Sequence, residues 1–552
     1  MIKVVKVAAY TWSNVFSEHP VLGVKIERVG EVPHVMGSEL AAWQVKLAEM
    51  FVALAPSQVD ANEAAWIDFL GALKLGRVLD LEVLIGGIAI GLQALEDGRV
   101  PRFFGFNPLS DSAQSVVFVA YHFRRTAVTA VLHATELVNM MLKHPRDWVQ
   151  EIERWKKTFQ VKSAAVGLDI LLREMIEVAE VRGIPWRVMD VQAEMVVFGH
   201  GKKLIRYCGG LSDVDSALAQ RIASNRIATF AVLNERQIAL APMMMVNSLE
   251  QIEPTLAKMA YPLLICSAVR GGKEREFHFF YREDEVLEKS KELLKTGSAV
   301  IFQRVSSAQA KIYHLLVVGG EFFMALSLGE NGQMQEVAKV HPDNVRLVER
   351  ASSLIGLKMA EVVLIAEDMS ESWLRGAVKL FGVEYAFFSR KKWSDLQRSK
   401  VATAMLAFLF PGDQNGRIPI AAITGTNGKT TTCLMLDHIL RTAGRSSGVA
   451  TTEGVRVAGR VNGFGDAAAG QGATAVLEDA VVEIAVLETA RGGLLDEGMA
   501  FDSCEVSAVL NVTADHLGLG GIETLQQLAE LKGRVARTAR DLVVLNVDDP
   551  LT

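Results

Sequence analysis

The sequence predicts a multidomain α/β protein whose last quarter is a parallel sheet with crossover helices. Three observations predict it. The chain has 552 residues, 50% of them hydrophobic, enough for about three or four domains at roughly 150 residues each, every one with its own core. Near residue 420 an apolar strand-type run feeds a glycine-bearing loop and then a helix-type run. Beyond it, further apolar runs each follow a loop or helix, the order that yields parallel strands.

Residues 1–160 mix both kinds of element, as an α+β domain does. Ser112 to His122 alternates like a strand, and Arg125 to Lys143 places apolar residues at helical spacing. Met140 and Met141 read as core filler. The greasiest short run, Val83 to Leu92, is about half the length of a membrane span, and its glycines point to a buried packed segment. The N-terminus lacks the long apolar core of a signal peptide.

Residues 161–400 alternate strands and helices. Tyr261 to Ser267, Ala299 to Phe302 and His314 to Val318 are strand-type runs, while Leu249 to Met259 and Asp284 to Leu294 read as helices. Gly319-Gly320 reads as a hairpin turn. The Pro, Gly, Asn and Asp residues of 410–416 mark turns, and 401–416 is expected to be a linker. The last domain is 417–552, with Ile418 to Thr424, Ile484 to Leu487, Val506 to Leu510 and Leu542 to Leu545 as strands and Thr430 to Ala443 as a helix.

Composition narrows the function. A net charge of −6 suggests no nucleic-acid partner. The four cysteines form no CxxC pair, which suggests neither a zinc site nor a disulfide framework and fits a reducing cytoplasm. No membrane association is expected.

The chemistry concentrates at Thr424-Gly425-Thr426-Asn427-Gly428-Lys429-Thr430-Thr431. Gly425 and Gly428 let the backbone turn tightly and aim N–H groups inward. The helix that starts at Lys429 adds its positive end. Lys429 can reach the β- and γ-phosphates of a nucleotide, and the Thr430 hydroxyl can ligate Mg²⁺. The two glycines lie closer together than in the common phosphate loop, but strand, glycines, Lys-Thr and helix agree. In a doubly wound sheet ligands bind beyond the carboxyl ends of strands. Glu488 ends one strand there, and Asn511 to His516 follows another. Carboxylate, imidazole and hydroxyl together suit a hard divalent ion. Taken alone, His516 reads as a hydrogen-bonded loop residue.

The ordered segments Gly425 to Thr432 (GTNGKTTT), Leu487 to Gly493 (LETARGG), Asn511 to Gly518 (NVTADHLG) and Asn546 to Pro550 (NVDDP) resemble the Mur ligase family, most of all its cyanophycin synthetase branch. Those enzymes polymerise aspartate and arginine. They consist of an N-terminal domain, an ATP-grasp domain and a Mur-like domain. The resemblance implies ATP and Mg²⁺ as cofactors, gripped by Gly425, Thr426, Asn427, Gly428, Lys429, Thr430 and Thr431. It implies Thr430, Glu488 and His516 as metal ligands. It also implies Lys532 as the lysine that is carbamylated in Mur ligases, so that Lys429, Glu488, His516 and Lys532 form the catalytic set. Without the resemblance Lys532 reads as a solvated helix lysine. Thr451 to Gly454 matches another family segment.

Upstream the resemblance continues through Phe198 to Gly201, His341 to Asn344 and Ile355 to Leu357, but the ATP-grasp chemistry departs. Asn225-Arg226 stands where the family has Asp-Lys, Cys266 replaces a strand lysine, and Arg270 to Lys273 is a reduced glycine-rich loop. Leu380 and Gly382 occupy metal-ligand positions, and neither can bind Mg²⁺. In the first domain Gly87 and Gly91 replace a His and a Glu, at a cost to the helix of about 1 kcal/mol each. The chain stops at Thr552, where a Mur ligase continues into a lid domain. The expected function is an ATP-dependent amide ligase acting on aspartate, arginine or the cyanophycin polymer. The alternative is a non-catalytic ATP-binding paralogue associated with a full-length synthetase. Oligomerisation is expected by resemblance alone.

Overall fold

The computed structural model describes residues 2–10, 20–29, 69, 72, 80–97, 104–108, 114–121, 123–143, 148–164, 167–190, 192–238, 240–268, 278–295, 299–305, 307, 309–514, 517–518 and 522–552. The chain divides into two compact units. One comprises residues 1–168, 200–204 and 417–552; the other comprises 169–199 and 205–416.

The N-terminal part of the first unit is an antiparallel sheet in the order 2–10, 21–28, 114–120, 104–108. Helices Leu81–Asp97 and Arg124–Lys143 share its core, in which Leu22, Val24, Ile85, Ile88, Val119 and Leu137 are buried. The glycines of 81–97 do not break that helix, because packing outweighs propensity. A Cβ at position 87 would lie 2.3 Å from the Phe69 ring, so the aromatic ring takes the volume a larger residue would need. Met141 is buried and Met140 packs against the same core, as filler should. Among the described residues no helix is long and apolar enough to cross a membrane.

Among its described residues the second unit holds three antiparallel sheets. In the largest, strands Lys311–Val318 and Glu321–Leu328 form the expected hairpin, with Gly319 and Gly320 at φ +69 and +90. Helix Glu283–Leu294 forms as expected, while the stretch read as one helix from Leu249 splits into a 3-10 turn, Leu249–Gln251, and a short helix, Ile252–Leu256. Residues 401–409, expected in a linker, are instead the second half of helix Asp395–Leu409. A Ser394–Gln397 capping box starts it, and Val401, Met405, Leu406 and Leu409 are buried. Apolar spacing there continues up to the first Pro-Gly, so only 411–416 forms turns. The Arg182 guanidinium holds that stretch by donating to the carbonyls of Phe410, Gly412 and Gln414 at 2.6, 3.0 and 3.3 Å.

The C-terminal part of the first unit positions the candidate site. Its elements are β1 (Ile420–Thr424), α1 (Lys429–Thr442), β2 (Ser447–Thr451), β3 (Gly454–Val457), β4 (Arg460–Phe464), α2 (Gly470–Leu477), β5 (Ile484–Glu488), α3 (Arg491–Asp496), β6 (Cys504–Val509), α4 (Leu525–Arg537) and β7 (Ala539–Leu545). The sheet order is β4-β3-β2-β5-β1-β6-β7. β2, β5, β1, β6 and β7 run parallel, and β3 and β4 add an antiparallel edge hairpin. β1 is central, flanked by β5 and β6, and reads as a continuous apolar run because both its faces are covered. Ala422, Leu487, Ala485 and Val535 are buried on one face and Ile423, Cys433, Val449 and Val486 on the other. The mid-chain segment 200–204 joins this domain. Lys202 donates its main-chain N–H to the Val482 carbonyl at 2.8 Å, and its ammonium pairs with Glu483 at 2.6 Å.

Candidate functional site

The loop between β1 and α1 leaves the carboxyl end of the central strand, where parallel sheets place ligands. Gly425 sits at φ +155, and a Cβ there would lie 3.0 Å from Leu510 Cβ. Gly428, at φ +82, is the left-handed N-cap of α1 and offers no side chain to cap it. The first helical main-chain bond is Thr432 N–H to the Gly428 carbonyl at 3.0 Å. The N–H groups of the first turn therefore have no intrahelical acceptor, and with the helix dipole they are suited to an anion.

Two of the expected residues, Thr430 and Glu488, converge at this turn, and Thr452, to which sequence gave no role, joins them. The Thr430 hydroxyl donates to Glu488 Oε2 at 2.8 Å and lies 3.0 Å from the Thr452 hydroxyl. The Thr452 main-chain N–H donates to the same carboxylate oxygen at 3.2 Å. β5 delivers Glu488, which is 4% exposed, and the turn after β2 delivers Thr452. These donors are all oxygens, and two are neutral hydroxyls beside one carboxylate. Such a set fits a hard, partly hydrated cation such as Mg²⁺ that takes its remaining ligands from phosphate and water. Among the described residues no three His, Cys, Asp or Glu side chains cluster. His516, expected as a further ligand, and Asp515 lie outside the described residues.

Lys429 turns back on its own loop, its ammonium donating to the Thr426 carbonyl at 2.9 Å. Lys532 is not a solvated helix lysine. α4 buries it to 3% exposure, and its ammonium donates to the Gly425 carbonyl at 2.7 Å. The sequence offered a signal for this, since Leu528, Leu531, Lys532 and Val535 all lie on the buried face of α4. Behind the loop, burial and then the Glu488 charge push the Cys433 thiol well above its ordinary value, so it is an inert packing group.

Sequence reasoning gave no role to Asn511. The structure places it directly after β6, against the loop. Its Oδ1 accepts from the N–H groups of Thr426 and Asn427 at 3.0 and 2.8 Å, and its Nδ2 donates to the Asn427 carbonyl at 3.2 Å. Thr513 N–H donates to the Thr426 hydroxyl at 3.0 Å. At the far end of that turn, Asp549 Oδ2 accepts from Val512 N–H at 2.6 Å, and the main-chain donors of Val512 and Leu551 hold the Asp549 carboxyl below its usual range.

In the second unit the departures in ATP-grasp chemistry have a structural counterpart. Asn225 caps the N-terminus of helix Arg226–Asn234, accepting from Ile227 and Ala228 N–H. Arg226 is 3% exposed and donates to the Phe381 carbonyl at 2.5 Å, with its guanidinium carbon 3.9 Å from the Phe381 ring centroid. A Cβ at Gly382 would lie 1.6 Å from Arg226 Nη1. The guanidinium thus fills the volume a side chain at 382 would require. Leu380 and Cys266 are each buried in the apolar core of a different sheet. Glu367 and Asp368 are exposed, and Asp368 accepts from Ser370 N–H and hydroxyl at 2.8 and 2.7 Å, as an acidic turn does. Residues 270–273 lie outside the described residues.

Residues 423–552 match the Mur ligase middle domain. Over 216 residues the chain is 42% identical to a cyanophycin synthetase of Synechocystis sp., covering 38% of this chain and 25% of that protein. Over 485 residues it is 27% identical to a cyanophycin synthetase of Crocosphaera subtropica, covering 73% of this chain and 55% of that protein. The chain thus spans between a quarter and about half of the length of these relatives. Among solved structures it is similar to the ATP-grasp ligase PsnB with minimal precursor, Mg and ADP, at 14% identity and a TM-score of 0.27, covering 36% of this chain and 62% of that one.

Proposed function

From a cyanophycin synthetase-like chain that carries a Mur ligase middle domain, we propose an ATP-dependent amide ligase that activates a carboxylate as an acyl phosphate. One observation carries the reading: open first-turn amides, Lys429, and the Thr430–Glu488–Thr452 oxygens lie together at the carboxyl end of β1. The loop amides and Lys429 hold the triphosphate, and Thr430, Glu488 and His516 would hold Mg²⁺. Bound magnesium supplies charge neutralisation on the β- and γ-phosphates. A substrate carboxylate attacks the γ-phosphorus, ADP leaves, and an amine then displaces phosphate to form the amide. The protein's part is positioning and electrostatic stabilisation. The amine is arginine and the carboxylate is an aspartate side chain, free or at the end of a cyanophycin polymer.

Purified protein given ATP, Mg²⁺, arginine, and aspartate or polymer is expected to release ADP and phosphate in an arginine-dependent way. Lys429→Ala is expected to abolish that release. Absence of Mg²⁺-dependent affinity for adenine nucleotides overturns the reading.

A second reading is a nucleotide-binding paralogue that does not ligate and associates with a complete synthetase. The guanidinium of Arg226 packed against Gly382 favours it, because a fixed cation stands where the resemblance implies metal ligands. Tight Mg²⁺–ATP binding with no amine-dependent turnover selects this reading.

A further inference from the structure

Every main-chain N–H in a phosphate-binding turn is a candidate phosphate donor, yet here they divide into two groups. The N–H groups of Thr426 and Asn427 are already satisfied by Asn511 Oδ1 at 3.0 and 2.8 Å, and the Thr426 N–H is shared with the Asn511 main-chain carbonyl at 2.9 Å. The same side chain closes the ring by donating Nδ2–H to the Asn427 carbonyl at 3.2 Å. Past Asn427 the pattern changes. Gly428 turns left-handed, no side chain caps α1, and the first helical bond comes from Thr432.

Resting on the nucleotide-binding reading, we propose that Asn511 is the positioning residue of the phosphate loop. It takes the 426 and 427 amides out of the anion site and locks the turn, so that the N–H groups of 428–431 face the triphosphate before it arrives. The ligand class follows from this geometry. An oligophosphate gains from a preformed nest of amides, and a nucleoside without phosphates does not. A primary amide suits the task because it accepts two N–H bonds and donates one while carrying no charge. A carboxylate could accept the same two bonds, but it cannot donate to Asn427 and would repel the incoming phosphates.

The test compares wild type with Asn511→Ala and Asn511→Asp in the full chain, by hydrogen exchange of the loop amides and by titration with ATP, ADP and adenosine. In the nucleotide-free protein, Asn511→Ala is expected to raise exchange at 427 at least tenfold, and at 426 by less because the Asn511 main-chain carbonyl still accepts from it, while the rest of the sheet keeps wild-type protection. Its affinity for ATP and ADP should fall about tenfold, with adenosine binding unchanged. Asn511→Asp is expected to keep exchange at 426 and 427 slow yet still weaken ATP. It also keeps the test decisive if the alanine variant fails to fold. Wild-type ATP affinity in Asn511→Ala, or exchange at 427 in Asn511→Asp tenfold or more above wild type, overturns the proposal. A wild-type protein that binds no nucleotide sinks the ligase reading instead, while the exchange data still decide whether Asn511 locks the turn.

Discussion

Glu488 sits at the junction of charge and hydrogen bonding in this site. It accepts from a hydroxyl and an amide while 4% exposed, and a buried carboxylate is costly unless paired or coordinated to a cation. Glu488→Gln keeps an acceptor for Thr430 and Thr452 but removes the charge. It is expected to leave ATP binding in EDTA unchanged and to remove most of the gain from Mg²⁺, roughly tenfold in affinity, which paired titrations with and without the metal would show. Residues of this kind were legible in the sequence because their chemistry is tied to strand ends. Lys429, Thr430 and Glu488 follow from a strand–loop–helix order and a terminal carboxylate. Asn511 was not legible, since an asparagine after a strand reads as turn chemistry and its three bonds to the loop exist only once β6 lies beside β1. Lys532 was half legible. The resemblance singled it out, but its burial depends on which face of α4 meets the sheet.

At the level of elements, α4 carries Lys532 to the loop, and its start is fixed by a reciprocal cap. Thr524 Oγ1 accepts from Gln527 N–H at 3.2 Å, and Gln527 Oε1 accepts from Thr524 N–H at 3.0 Å. Thr524→Ala is expected to cost about 1 kcal/mol of stability, seen as a lower midpoint in urea with an unchanged slope. The central strands β1, β5 and β6 and helix α1 were readable to within a few residues, because apolar runs and glycine punctuation agree there. The edge hairpin β3–β4 was not. Its Arg460 to Phe464 strand is largely exposed and carries no apolar alternation, so only its partner reveals it. Helix 395–409 was missed in the reading from sequence, its second half assigned to a linker, because strong turn residues just beyond it masked apolar spacing that runs to Leu409.

On the scale of the whole molecule, a buried histidine is expected to lower stability in acid. His200 is 8% exposed, and burial, reinforced by the Arg417 charge, pushes its pKa down to about 4. The unfolded chain takes up that proton near pH 6.5 and the native chain does not, so the contribution is complete above about 6.5 and is lost progressively as pH falls toward about 4. The loss amounts to roughly 3 kcal/mol. Nearby, burial works to raise the Asp502 carboxyl, but its hydrogen bonds from Arg417 at 2.6 and 2.7 Å hold it below the usual range. Its loss therefore begins only at lower pH. His200→Gln should flatten the stability profile between pH 6.5 and 4, as urea unfolding at a series of pH values would show; an unaltered slope would overturn this role for His200. The same histidine opens the short excursion at 200–204 that joins the C-terminal α/β domain from the middle of the chain. A gene fragment starting at 417 would therefore lack one of the domain's own parts, leaving the Val482 carbonyl and the Glu483 carboxylate without the donors that Lys202 brings. Anyone excising or transplanting this domain would have to supply those five residues as a separate stitch.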